Sequence, residues 1–233
     1  MQFASLLVIA AGVALGQETV KDRWIKTAGE DYNVVGRVSD KSGKVICLGL
    51  VSAGKDLRSL GECFDRSAQF SIAIVSSKDM LSRGEANVRG VGVSSKQGVS
   101  ELVSLAVLSV SGNRFTPLRA VDITSNFDYH VNFVSYRLNG GGLEKRSFKY
   151  VDATLCFNEY NRRIKRIGSG QFHSSIFCVQ PTALDSTSPY LGAPLIARPR
   201  NATTERFVSG LFKEALPNQQ LFYFAKVKGL SEF

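Results

Sequence analysis

The chain has 233 residues, 44% hydrophobic and 21% charged, enough apolar material for one large or two modest packed domains and too much for a disordered segment. Against 20 Asp and Glu stand 29 Lys and Arg, a formal net charge of +9 that favours acidic partners such as sulfated glycans, anionic membranes or acidic proteins. No stretch reaches the roughly 20 apolar residues a bilayer span needs, so no membrane span is expected.

Residues 1–16 hold no charge and contain an apolar run from Leu6 to Leu15, with small residues Ala14 and Gly16 ahead of Gln17. That pattern is expected to be a signal peptide, so the chain should be secreted and extracellular. The four cysteines of an exported chain should pair, and three connectivities are open. A polar stretch, 17–31, contains Arg23, Trp24, Ile25 and Lys26.

From Tyr32 the pattern becomes that of strands. Tyr32 to Val38 and Val45 to Val51 flank a Ser39–Lys44 turn and read as a hairpin. Phe70 to Val75, Glu85 to Val93 and Glu101 to Val110 alternate or run apolar, separated by Ser, Gly and Lys turns. No amphipathic stretch long enough for a crossover helix intervenes, so an all-β barrel is favoured over α/β. Further strands are expected at Val131–Tyr136 and Phe148–Leu155, the latter running into Cys156. A short helix over Asn158–Ile167 precedes Cys178.

The stretch from Asp185 to Ile196 resembles the nucleophile loop of chymotrypsin/trypsin-like serine proteases, which usually reads Asp-Ser-Cys-Gln-Gly-Asp-Ser-Gly-Gly-Pro-Leu-Val. Gly192, Pro194, Leu195 and Ile196 keep its frame, whereas Leu191 stands at the nucleophile, Tyr190 at the buried aspartate and Pro189 at an oxyanion-hole glycine. Order and spacing extend the likeness from about Tyr32 to Phe233. Cys63 lies sixteen residues beyond Cys47, as in the family's histidine-loop disulfide, with Glu62 where the histidine belongs. Ser104 to Val110 resembles the Asp-Ile-Ala-Leu-Leu-Lys-Leu strand, with Ser104 replacing the aspartate. Phe207 to Lys213 resembles the strand on which a substrate backbone lies, and Leu221 to Val227 a Pro-Gly-Val-Tyr-Thr-Arg-Val strand.

The resemblance implies two six-stranded antiparallel Greek-key barrels, one over about 32–120 and the other over about 128–233, and a short or truncated C-terminal helix. It implies the disulfides Cys47–Cys63 and Cys156–Cys178. It also implies an inactive homologue, a pseudoprotease, because peptide hydrolysis on this template needs a serine nucleophile, an imidazole, a carboxylate to orient it and N–H donors for the oxyanion. Glu62, Ser104, Leu191 and Pro189 supply none of these. The family's activation switch is missing too: Arg23-Trp24-Ile25-Lys26 lacks the glycines of a cleavable Ile-Val-Gly-Gly end, and Tyr190 offers no carboxylate to a new amine. Asp185 coincides with the aspartate that selects basic side chains, yet Phe222 stands where that pocket needs a glycine and is expected to plug it.

His130 and His173 align with no catalytic position, so an endopeptidase with relocated residues is a minor alternative. No metal is expected, because no His/Cys/Asp cluster has ligand spacing, and no cofactor is implied. Arg162, Arg163, Lys165 and Arg166 form a basic run suited to a heparin-like polyanion, with Lys145, Arg146 and Lys149 as potential extensions. Nucleic acid is not expected, for lack of aromatic-interleaved basic segments. Asn201-Ala202-Thr203 is an N-glycosylation acceptor sequence. By resemblance, the expected partner is an extracellular protein such as an active protease or another hydrolase, which the chain would serve as decoy, cofactor or inhibitor.

Overall fold

The structure, a computed structural model, describes residues 24–27, 35–40, 42–51, 56–64, 70–74, 84–86, 95–100, 103–109, 119–120, 131–140, 142–182, 187–199, 207–216 and 220–227. The leader, His130, Asp185, Asn201 and the expected C-terminal helix lie outside them.

In chain order the strands are β1 (Ile25–Lys26), β2 (Val35–Asp40), β3 (Val45–Val51), β4 (Asp56–Leu60), β5 (Phe70–Ile74), β6 (Gly84–Ala86), β7 (Ser95–Ser100), β8 (Val103–Ser109), β9 (Arg119–Ala120), β10 (Val131–Asn139) and β11 (Gly142–Tyr150). Two helices follow, α1 (Ala153–Arg163) and α2 (Ser169–Ser175), and then β12 (Ile176–Pro181), β13 (Pro194–Pro199), β14 (Phe207–Leu216) and β15 (Leu221–Lys226). A 3-10 turn, Gly61–Phe64, leaves the end of β4.

Six strands of the second half close on themselves in the order β11-β10-β13-β14-β15-β12, and β12 returns to β11. Closure removes the sheet edge that an open antiparallel sheet would expose. Period-two alternation explains why β15 is buried on both faces. Phe222 and Phe224 meet Phe212, and Phe222 meets Phe148. Tyr223, pointing the other way, packs against Tyr160 of α1 and Phe172 of α2.

The first half forms a seven-stranded sheet in the order β6-β5-β2-β3-β4-β8-β7. Its β2–β3 hairpin is fixed by Asp40, whose Oδ1 accepts from Ser42 N (2.8 Å), Ser42 Oγ (2.6 Å) and Lys44 N (3.0 Å). Gly43 takes the left-handed φ of +82° that the turn requires. Both expected disulfides are formed, Cys47–Cys63 and Cys156–Cys178, with Cα separations of 6.1 and 5.9 Å.

Three expectations of local structure are corrected. The strand expected to run to Leu155 stops at Tyr150, because Asp152 caps α1, accepting from Thr154 N at 2.9 Å and Leu155 N at 3.1 Å. Helix α1 therefore begins five residues before the expected start and ends at Arg163. Residues Ser95–Ser100 form a strand paired with β8, where the polar composition suggested a turn. Backbone pairing needs no apolar face, so composition alone misleads there.

Candidate functional site

Four segments meet where the two sheets face each other. Strand β3 contributes Val45 and Ile46, the 3-10 turn Glu62 and Cys63, the β2–β3 hairpin Asp40 and Lys44, and the loop before β13 Tyr190 and Leu191. Together they line a cleft of about 710 Å³, well within the size range of ligand sites. Its floor is apolar and its rim is charged.

The loop is held by both halves of the molecule. Tyr190 N donates to Tyr136 O (2.9 Å) in the closed barrel, while its hydroxyl reaches Val45 O (2.7 Å) in the other sheet. Burial raises the pKa of that phenol, keeping it a neutral donor. Leu48 N donates to Leu191 O at 2.8 Å, and Gly192 N to Phe212 O at 2.8 Å. Gly192 has φ +75°, and a Cβ there would collide with the Leu48 carbonyl and stand 2.6 Å from Ser59 Oγ. Only glycine fits so close an approach of loop to sheet.

Glu62 and Leu191 thus share one cleft. The Cys47–Cys63 disulfide ties the Glu62 turn to β3, and Glu62 Oε2 lies 3.2 Å from Lys213 Nζ on β14. Strand β8 pairs with β4, Leu105 opposite Leu60, which sets the Ser104 backbone at the register step where β4 gives way to the Glu62 turn. Pro189 is buried at the head of the loop and has no N–H to offer an oxyanion. Leucine carries no nucleophilic atom, and a carboxylate paired with Lys213 is a poor substitute for an imidazole.

Phe222 is fully buried, its ring 5.6 Å from Phe148 and 6.3 Å from Phe212. A phenyl ring therefore occupies the barrel interior at that position. On β14, opposite Tyr223, Glu214 accepts from Tyr160 Oη at 3.1 Å, and burial pushes its carboxyl above the usual range.

Sequence reasoning missed Glu214, Lys213 and, most of all, Trp24. The signal was available for Trp24 alone: it is the single tryptophan in the chain and sits in an otherwise polar stretch. Its indole N–H donates to Thr187 Oγ1 at 2.8 Å, at the start of the cleft loop.

The basic run is altered by its surroundings. Arg162 and Arg163 both pair with Glu159, at 2.7 and 3.2 Å, which leaves Lys165 and Arg166 as the cations of the run without an ion-pair partner among the described residues. Helix α1 ends at Arg163, so Arg162 and Arg166 do not share a helical face. Arg146 is 1% exposed and cannot extend a surface patch. His173 is exposed and its ring lies against Phe157 and Phe172. Among the described residues, no cluster of three His, Cys, Asp or Glu could hold a metal ion, and no helix is long and apolar enough to cross a membrane.

A closed antiparallel barrel facing a second sheet, with a disulfide-pinned turn and a glycine loop at their junction, is the fold of chymotrypsin-like serine proteases. Solved structures agree. Human heparin binding protein superposes with TM-score 0.63 at 12% identity, over 90% of this chain and 92% of that one. The scabies mite inactivated protease paralogue S-D1 gives 0.60 at 15%, over 87% and 90%. The secreted serine protease VesC from Vibrio cholerae gives 0.65 at 14% over 91% of this chain, which spans 46% of that protein. No protein-family model matches the sequence, and no curated relative matches it significantly.

Proposed function

We propose that this chain is a secreted, non-catalytic serine protease homologue that works by binding another extracellular protein at the inter-sheet cleft, as decoy, cofactor or inhibitor. One observation carries the reading: Glu62 and Leu191 line a common cleft, and Pro189, two residues before Leu191, has no N–H to donate. The degenerate triad is then Glu62, Ser104 and Leu191, the domains are barrels over about 32–120 and 128–233 behind a 1–16 leader, and Asp185 with Phe222 is the remnant of a closed specificity pocket. Two features support a binding role: the cleft is open and large, and its loop is bonded to both sheets. Two disulfides among the described residues suit an oxidising compartment, and glycosylation at Asn201 belongs to the same reading.

The test pairs chemistry with capture. The purified chain should neither be labelled by a serine-directed fluorophosphonate nor turn over a broad peptide library. It should retain a protein from its native extracellular fluid, and Leu191→Arg should abolish that retention. Labelling or turnover overturns the non-catalytic reading, in favour of the relocated endopeptidase. Retention unaffected by Leu191→Arg overturns the cleft as the binding surface.

A second reading, a module for sulfated glycans, is supported by exposed Lys165 and Arg166 and by the fold shared with a heparin binding protein. Changing Arg162, Arg163, Lys165 and Arg166 to Ala should then remove salt-dependent retention on heparin.

A further inference from the structure

Trp24 occupies a socket assembled from three separate segments. Arg137 of β10 stands 4.6 Å over the ring, Phe148 of β11 meets it edge-on at 6.3 Å, and Thr187 accepts the indole N–H. Each wall is itself fixed. Arg137 Nε donates to Glu144 Oε2 at 2.8 Å, and Glu144 also accepts from Asn139 Nδ2 at 3.0 Å. The main chain after Trp24 is held as a strand, with Ile25 opposite Lys145, Lys26 opposite Glu144, and Thr27 N donating to Leu143 O at 2.9 Å.

That placement links two regions far apart in sequence. Thr187 is three residues before Tyr190, and Tyr190 N is bonded to Tyr136 O, the residue next to Arg137. One short piece of β10 therefore holds both the indole and the cleft loop. A cation–π contact, an aromatic edge and a hydrogen bond are each attractive, and all three act on one side chain at the edge of the loop that builds the cleft.

We infer that Trp24 is a clasp: seating its indole between Arg137, Phe148 and Thr187 holds the 187–193 loop in its cleft-forming conformation. The cleft is thereby regulated through a segment remote in sequence, since anything that withdraws Trp24 loosens the loop without touching Leu191 or Glu62. The inference rests on the proposed function only for its biological meaning. The clasp itself is read without any partner, so either can fail alone.

Hydrogen exchange on the full-length chain tests it. In Trp24→Gly, amides of 187–193 should exchange about tenfold or more faster, as for a local opening, while β10 and β13 keep their protection. Free indole at millimolar concentration should restore slow exchange by refilling the socket. Thr187→Val, which keeps the indole but removes its acceptor, should shift the loop in the same direction by less, and should red-shift the emission of the single tryptophan. Coupling is reciprocal, so Leu191→Arg should also move the Trp24 emission. An unchanged loop in Trp24→Gly, or faster exchange spread evenly over the whole barrel and not rescued by indole, overturns the clasp. Should Trp24→Gly fail to fold, Thr187→Val decides: faster loop exchange with an emission shift supports the clasp, and neither change refutes it.

Discussion

The two walls of the cleft are built from different materials. On the closed-barrel side the interior is aromatic: Phe133, Phe148, Phe212, Phe222 and Phe224 are almost wholly buried, and the rings of the last four form a connected chain of contacts. On the other side the described core is aliphatic, with Val35, Val38, Leu48, Leu50, Leu57 and Leu60, and its edge exposes Val45, Ile46, Asp40, Lys44 and Glu62 to the cleft. Large rings fill space that smaller side chains leave open. Phe222 is packed among the barrel's rings, and the cleft is lined largely by residues of the first sheet. A molecule that keeps this architecture for recognition would meet its partner on the β3 and Glu62 side.

Removing the plug is the strongest way to break that contrast. Phe222→Ala should cost about 3–5 kcal/mol in urea unfolding, the range for a buried phenyl truncation, whereas Ile46→Ala on the half-buried cleft wall should cost clearly less. Equal losses would mean that the two walls do not differ in packing. A smaller effect sharpens the same comparison. Tyr190→Phe deletes the hydrogen bond to Val45 O while leaving the ring, and should cost about 1 kcal/mol. Exchange of the 187–193 amides should rise in this variant, since the hydroxyl is one of the bonds joining loop to sheet.

Much of this was readable from residue order. The alternation of 32–51, the Cys47 to Cys63 spacing and the retained Gly192 and Pro194 each encode a local constraint, and local constraints survive in one dimension. What escaped was set by partners distant in sequence or by competing local signals. Asp152 ends a strand and starts a helix because its carboxylate reaches two amides, a capping signal that the apolar run through Leu155 overrode. Glu159 at i−3 and i−4 from Arg162 and Arg163 was legible helix chemistry, and it halves a patch that looked fourfold basic. Trp24 carries no periodicity, so nothing in its neighbours announces a socket 113 to 163 residues away.

The finest distinction between the two halves is electrostatic and turns on Glu214. Burial raises its carboxyl most, Glu62 adds to the rise, and Lys213 and the Tyr160 hydroxyl act against it. Because the folded value lies above the ordinary 4.5, the folded state holds this proton more tightly than the unfolded chain does. The resulting stabilisation is complete below the ordinary value and is lost as pH rises through the raised folded value. Asp40, in the other half, runs the other way: hydrogen bonding from Ser42 does most to lower its value, so its contribution is lost as pH falls. The urea midpoint of the wild-type chain should therefore carry a downward step with rising pH, between the ordinary carboxylate value and the raised folded one. Glu214→Gln should lack that step and equal or exceed wild type at neutral pH, and the difference between the two curves cancels Asp40 and every other group common to both. Parallel curves would mean that Glu214 is not shielded from water in the folded chain.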